Sequence, residues 1–163
     1  MNTAIRAAAC AAILGVAAAA GAQAPALVKP LGTNATNIGE GVNIDLMSVE
    51  RHGSILTVKW QVRNGGPKSQ HVQFFLSGTT PTTYAVDEES GTKYYVLTDK
   101  EKHTLASEDE DLGYGNHGIN ENVAAGAANR YWMKLPAPPP AVKTISVFFT
   151  KAEPFESVAI TDK

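Results

Sequence analysis

Leu56-Thr57-Val58-Lys59-Trp60-Gln61-Val62-Arg63 is the stretch that decides the fold. Apolar and polar residues alternate strictly, and the apolar set is rich in β-branched and aromatic side chains. Successive side chains of an extended chain point to opposite faces, so the pattern describes a strand buried on one face and wet on the other. Upstream, Val42, Ile44 and Leu46 alternate with Asn43 and Asp45, and Arg51-His52-Gly53-Ser54 joins the two runs. Two alternating runs with a glycine-containing link predict a hairpin. Met47-Ser48-Val49 slips the phase, which predicts a bulge. Trp60 shares the apolar phase of Val58 and Val62, which places it on the buried face.

Downstream, Asn64-Gly65-Gly66-Pro67 turns the chain, and Val72, Phe74 and Leu76 begin a third strand. Tyr84 and Val86 lie in a fourth, Asp87 to Thr92 is a turn, and Tyr94 to Leu97 is a fifth. Arg130 to Leu135, Lys143 to Phe149 and Glu156 to Ile160 read as strands again. Pro136 to Pro140 is stiff and extended. The polar stretch Thr98 to Asn122 reads as one long loop, of a length that is functional or disordered in most compact domains. No convincing helix follows the leader. Seven or eight short strands predict an all-β, immunoglobulin-like antiparallel β-sandwich over residues 42–160. Residues 23–41 read as a flexible lead-in, with a short strand at Ala26-Leu27-Val28, and 161–163 as a tail. Asn34-Ala35-Thr36 is a formal glycosylation sequon of little weight.

The N-terminus has its own signature. Arg6 precedes a small-apolar run from Ala7 to Ala20, which ends in Gly21-Ala22-Gln23-Ala24. A charged start, an apolar middle and an A-x-A exit describe a secretory signal peptide. Cleavage between Ala22 and Gln23 gives residues 1–22 as leader. An end at residue 24 is the alternative, with Pro25 as the less suitable residue after the cut. The expected location is secreted or periplasmic, with no integral membrane segment after cleavage. Cys10, the only cysteine, leaves with the leader, so the mature chain has neither thiol chemistry nor a disulfide. A lipid anchor on Cys10 is disfavoured because the apolar run continues past it. The net charge of −2 becomes more negative by one when Arg6 is removed. That argues against nucleic acid as a partner.

Several stretches carry a resemblance: Tyr84 to Asp99, Tyr131 to Pro140, Val142 to Phe149, and Ala152 to Ile160. Together they resemble a group of bacterial extracytoplasmic immunoglobulin-like domains of unknown function. That group is similar in layout to the DUF4352 and MPT63-type sandwiches. Its members occur alone or beside an OmpA-like peptidoglycan-binding domain. The resemblance implies the sandwich fold and carries no catalytic residue to this chain.

Three function classes follow. Enzymatic signatures are missing: there is no G-x-S-x-G, H-E-x-x-H, P-loop or dinucleotide glycine pattern. A hydrolase would need an unrecognised site bringing a histidine beside a serine or acid. An ion-stabilised domain is the second class. Glu108, Asp109, Glu110 and Asp111 offer hard oxygens for Ca²⁺, but lack the glycine and terminal glutamate of an EF-hand loop. His103 and His117, with Asp109 or Asp111, offer zinc or copper ligands, although fourteen positions separate the histidines. The favoured class is a non-catalytic interaction or structural module of the cell envelope, with no cofactor and an unknown protein or envelope partner. Its expected contact residues are Trp132, Arg130 and Lys134 on one strand face, and Tyr114 and His117 in the polar stretch. Trp132 shares its phase with Arg130 and Lys134, which marks the solvent face. A bulge would turn it inward instead. Phe75 and Phe148 pose the same question, and all three on one outer face would mark an interface.

Overall fold

The computed structural model describes residues 29–163. The leader, the cleavage point at Ala22 and Gln23, and the strand expected at Ala26 to Val28 lie outside the described residues. Everything regular among the described residues is strand, and the pairings are antiparallel with one exception. No helix there is long and apolar enough to cross a membrane.

Four strands build the first sheet, in the order β1 (Gly32–Ala35), β2 (Val42–His52), β3 (Ile55–Asn64) and β9 (Ala128–Pro136). The second sheet runs β4 (Gln70–Ser77), β8 (Asn116–Val123), β7 (Glu110–Gly113). The third runs β11 (Phe155–Ala159), β10 (Thr144–Phe148), β5 (Tyr84–Asp87), β6 (Thr92–Tyr95). β12 (Thr161–Asp162) adds to β2 in parallel.

The β2–β3 hairpin forms as the alternation predicts. Gly53 holds the turn at φ 58°, a conformation that a Cβ disfavours. The register slips between Leu46 and Ser48, so the bulge sits at Met47. Val58, Trp60 and Val62 are buried, while Lys59 and Arg63 are exposed. Trp60 bridges the layers: its ring lies 5.8 Å from Phe74 of β4 and 5.0 Å from Phe149, just past β10. Packing of the first sheet against the other two therefore gives a sandwich-like core. Each fully buried aliphatic there contributes about 1.5–3 kcal/mol.

The architecture has more strands than the seven or eight expected, and three boundaries change. Gly32–Ala35, placed in the lead-in, pairs in register with Asn43 to Leu46. Thr161 and Asp162, placed in the tail, pair with Glu50 and Arg51. The stretch expected as one loop from Thr98 to Asn122 contains β7 and most of β8, with Ile119 fully buried against β4 at Phe74. The reason is the same each time. Ladders are made by backbone groups, which polar sequences supply as well as apolar ones. Gly118 permits the β4–β8 approach, since a Cβ there would meet the Phe74 carbonyl oxygen at 1.9 Å.

Asp45 ties three strands together. Its buried carboxylate accepts from Thr33 Oγ1 of β1 at 2.7 Å, Gln61 Nε2 of β3 at 2.7 Å, and Arg63 Nη2 at 3.0 Å. The Arg63 guanidinium, helped by Gln61 and Thr33 against the cost of burial, lowers the Asp45 pKa to about 2. A depressed carboxylate contributes stability that is present above its unfolded pKa near 4 and is lost as pH falls toward 2. Arg63 is half exposed, so solvent screening holds the contribution to about 1–2 kcal/mol. Urea midpoints between pH 5 and pH 2 are expected to fall more steeply in the wild type than in Asp45→Asn. Parallel slopes would contradict the assignment.

Candidate functional site

β9 alternates cleanly. Tyr131, Met133 and Leu135 are buried, and Arg130, Trp132 and Lys134 are exposed. No bulge intervenes: the β3–β9 register is continuous from Ile55↔Pro136 to Arg63↔Ala128. Trp132 therefore lies on the outer face of the first sheet, 37% exposed. Its direct cross-strand partner is Lys59. The Lys134 ammonium sits 5.7 Å from the Trp132 ring centroid, a cation–π distance.

The position is rigid. On one side β9 pairs with β3. On the other, Ser107 N donates to Trp132 O at 2.9 Å and Lys134 N to Leu105 O at 2.9 Å. Trp132 N also donates to Ser107 Oγ at 3.3 Å. The segment around Leu105 to Ser107 thus extends the sheet by one irregular edge. Charges on this face divide into paired and free. Arg63 pairs with Asp45, and Lys59 and Lys163 both pair with Glu50. Arg130 and Lys134 form no ion pair among the described residues, which leaves two free cations flanking the tryptophan along its strand. Lys59 completes the group. As one polar position of the deciding strand it gave no separate sequence signal, and only strand register places it opposite Trp132.

The other expected contact residues lie elsewhere. Tyr114 is 98% exposed at the tip of the β7–β8 hairpin, at φ 54° between Gly113 and Gly115. His117 lies on β8 of the second sheet. Phe75 is half-buried on β4, and Phe148 is half-buried on β10. Trp132, Phe75 and Phe148 occupy three different sheets, so they do not make the single outer patch considered from sequence. Phe148 instead stacks on Tyr84 at 5.0 Å and 12°, and Tyr84 packs on Tyr95 at 5.7 Å. These are direct cross-strand neighbours that cover one another.

The acidic run does not converge as four carboxylates. Asp109 Oδ1 accepts from Thr104 N at 2.9 Å and also from the Thr104 hydroxyl. Glu110 Oε2 accepts from Asn120 Nδ2 at 3.0 Å, and Asp111 Oδ1 from Gly113 N at 2.8 Å. Glu108 is exposed. The fold gathers a different set around the histidines. Asp99 Oδ1 accepts from the backbone N–H groups of Glu101 and His103, both at 2.9 Å. Asp99 Oδ2 lies 3.4 Å from His103 Nδ1, and Glu101 Oε2 lies 3.7 Å from it. Desolvation raises the Asp99 pKa, but these hydrogen bonds and His103 outweigh it, and the net direction is down. Asp99 and Glu101 carried no signal in the sequence beyond their alternation with His103.

A shallow cleft of about 260 Å³ lies between the β5–β6 turn and β10. It is lined by Glu88, Glu89, Lys143 and Ser157 among others, with no histidine on its wall. Glu88 accepts from Ser146 Oγ at 2.5 Å and Ser157 Oγ at 3.3 Å. Serine and carboxylate are present, but the histidine that a hydrolytic triad would need does not line it. Comparison with protein-family models, curated proteins and solved structures finds no match to this chain.

Proposed function

We propose that this chain is a secreted or periplasmic, non-catalytic, immunoglobulin-like module that docks an acidic partner of the cell envelope through the Trp132 face. One observation carries the reading. An exposed tryptophan, rigidly held on β9 near the edge of the first sheet, is flanked by Arg130 and Lys134, unpaired among the described residues, and lies opposite Lys59, itself paired with Glu50, on a chain whose net charge is −2. An exposed aromatic ring forgoes the stabilisation of burial, and two cations without carboxylate partners add no ion pair to the fold. Such groups recur as binding anchors, where a large ring fills a pocket and cations pair with carboxylates. The signal-peptide pattern supports the extracytoplasmic location. The net negative charge disfavours nucleic acid.

The purified protein, immobilised and exposed to envelope extract, is expected to enrich an acidic component that salt elutes. Trp132→Ala is expected to weaken capture about 30-fold, the effect of losing roughly 2 kcal/mol at an interface anchor. Arg130→Glu with Lys134→Glu should abolish it. Since these side chains are exposed, the variants should melt close to the wild type. Equal recovery by wild type and both variants would refute the reading.

A further inference from the structure

His103 and His117 are brought together by the fold. The Leu105 to Ser107 edge runs beside β9, and the chain then enters the β7–β8 hairpin. The two rings stand edge to face, with centroids 6.5 Å apart. Each imidazole turns its Nδ1 toward a carboxylate: His103 toward Asp99 at 3.4 Å, and His117 toward Asp109 at 3.6 Å. The second pair shows an unmet need. His117 Nδ1 and Asp109 Oδ2 are both buried atoms without a hydrogen-bond partner. Leaving two such atoms unpaired costs free energy, and a carboxylate facing Nδ1 favours the tautomer with its proton there, which leaves the Nε2 lone pair free for a ligand.

We propose that His103 and His117 chelate one divalent first-row transition ion, Zn²⁺ or Cu²⁺, through their Nε2 atoms, with Asp99 and Asp109 orienting the two rings from behind. A carboxylate on the far nitrogen fixes the tautomer and raises the basicity of a metal-binding imidazole. Zn–N bonds of about 2.0–2.1 Å in a tetrahedral site bring two ring centroids to about 5 Å. His103 is half exposed on its loop and can close that gap, whereas His117 is held on β8. Glu101 faces the Nδ1 side of His103, as Asp99 does, and stays behind the ring, so water completes the sphere. Imidazole nitrogens favour Zn²⁺ and Cu²⁺ over the hard ion Ca²⁺. The site lies on different elements from the Trp132 face and stands or falls independently of it.

Calorimetric titration of the purified protein with ZnCl₂ is expected to show saturable binding of one ion per chain. His103→Ala and His117→Ala should each weaken it at least about tenfold, and Asp109→Asn about 10- to 100-fold. With one equivalent of Cu²⁺, electron paramagnetic resonance should show coupling to two imidazole nitrogens in the wild type and one in each histidine variant. Asp109 also holds Thr104, so its variant is read beside His103→Ala, whose exposed ring leaves the fold intact by circular dichroism. Absence of saturable Zn²⁺ binding overturns the proposal. So does wild-type affinity in His117→Ala, which places the ion on Asp99, Glu101 and His103 alone, and so does tighter binding of CaCl₂ than of ZnCl₂.

Discussion

Replacing Arg51 with alanine is expected to lower the unfolding free energy by about 2–4 kcal/mol, the loss of several charge-assisted hydrogen bonds from a buried guanidinium. The guanidinium is 5% exposed and sits where three segments meet. Its Nη1 donates to the carbonyls of Pro138 at 3.1 Å, Pro139 at 2.9 Å and Val142 at 3.2 Å. Its Nε donates to Asp162 Oδ1 at 2.6 Å. The chemistry of the segment explains the demand. Prolines contribute carbonyls but no N–H, so Pro138, Pro139 and Pro140 cannot complete a ladder. Pro139 O accepts the Val142 N–H at 3.0 Å, the other oxygens need donors from outside, and one guanidinium fork supplies several at once. Arg51→Ala takes this donor from the Pro138 and Val142 carbonyls, leaves Pro139 with the Val142 N–H alone and Asp162 with Lys143 alone, and so loosens the parallel pairing of β12 on β2. Arg51→Lys should recover only part of the loss, because a point-like ammonium cannot reach the same set of acceptors. Asp162→Asn should cost much less, since that carboxylate is half exposed and screened. Urea denaturation of the three variants tests the ranking. A loss below about 1 kcal/mol for Arg51→Ala would remove Arg51 as the clasp.

How much of this was legible in the sequence depends on which physical signal each element uses. β3 was legible because its inner face is a run of large apolar residues at period two. The Met47 bulge was legible because it breaks that period. For Trp132 the phase left two readings open, the outer face or a bulge that turns it inward, and the continuous register places it outward. β1 and β12 were not legible. Gly32 to Ala35 and Thr161 to Asp162 have no apolar alternation, and their stability comes from main-chain pairing at the margin of β2. β7 and β8 were hidden by composition: Ile119 and Val123 alone plug into the core, while Asn116, Gly118 and Asn120 do work that reads as loop chemistry. Asn116 is buried, and its Oδ1 accepts from Thr80 N at 3.1 Å, which fixes one end of β8. The meeting of His103 with His117 leaves no trace in their spacing. Their fourteen-residue separation matches no compact metal motif because the contact is made by tertiary packing. Arg51 gave no signal at all, since a basic residue next to a turn reads as solvent-exposed.

Trp60→Ala is expected to be comparably damaging, at about 3–5 kcal/mol, through cavity formation in the middle of the sandwich. Trp60 is 1% exposed, and its ring meets Phe74, Tyr131 and Phe149 at centroid distances of 5.8, 5.5 and 5.0 Å. Those partners come from both layers, so they cannot collapse into the void without moving the sheets relative to one another. Domains of this size have about 5–15 kcal/mol in total, and the mature chain predicted here has no disulfide to limit the unfolded ensemble. The substitution therefore takes a large share of the stability. Trp60→Phe separates volume from chemistry. The Trp60 Nε1 is buried without a hydrogen-bond partner, so removing it relieves an unsatisfied donor while most of the aromatic contact remains. Its cost should be less than half that of the alanine variant. The protein has two tryptophans, which makes the experiment report on itself. With Trp60 removed, the fluorescence of the folded state comes from Trp132 alone and should be red-shifted and readily quenched by iodide. With Trp132 removed, emission should be blue-shifted and protected until the protein unfolds. If Trp60→Ala lost less than about 1 kcal/mol, or if the two single-tryptophan variants quenched alike, then Trp60 would not be what joins the layers and Trp132 would not stand on the open face.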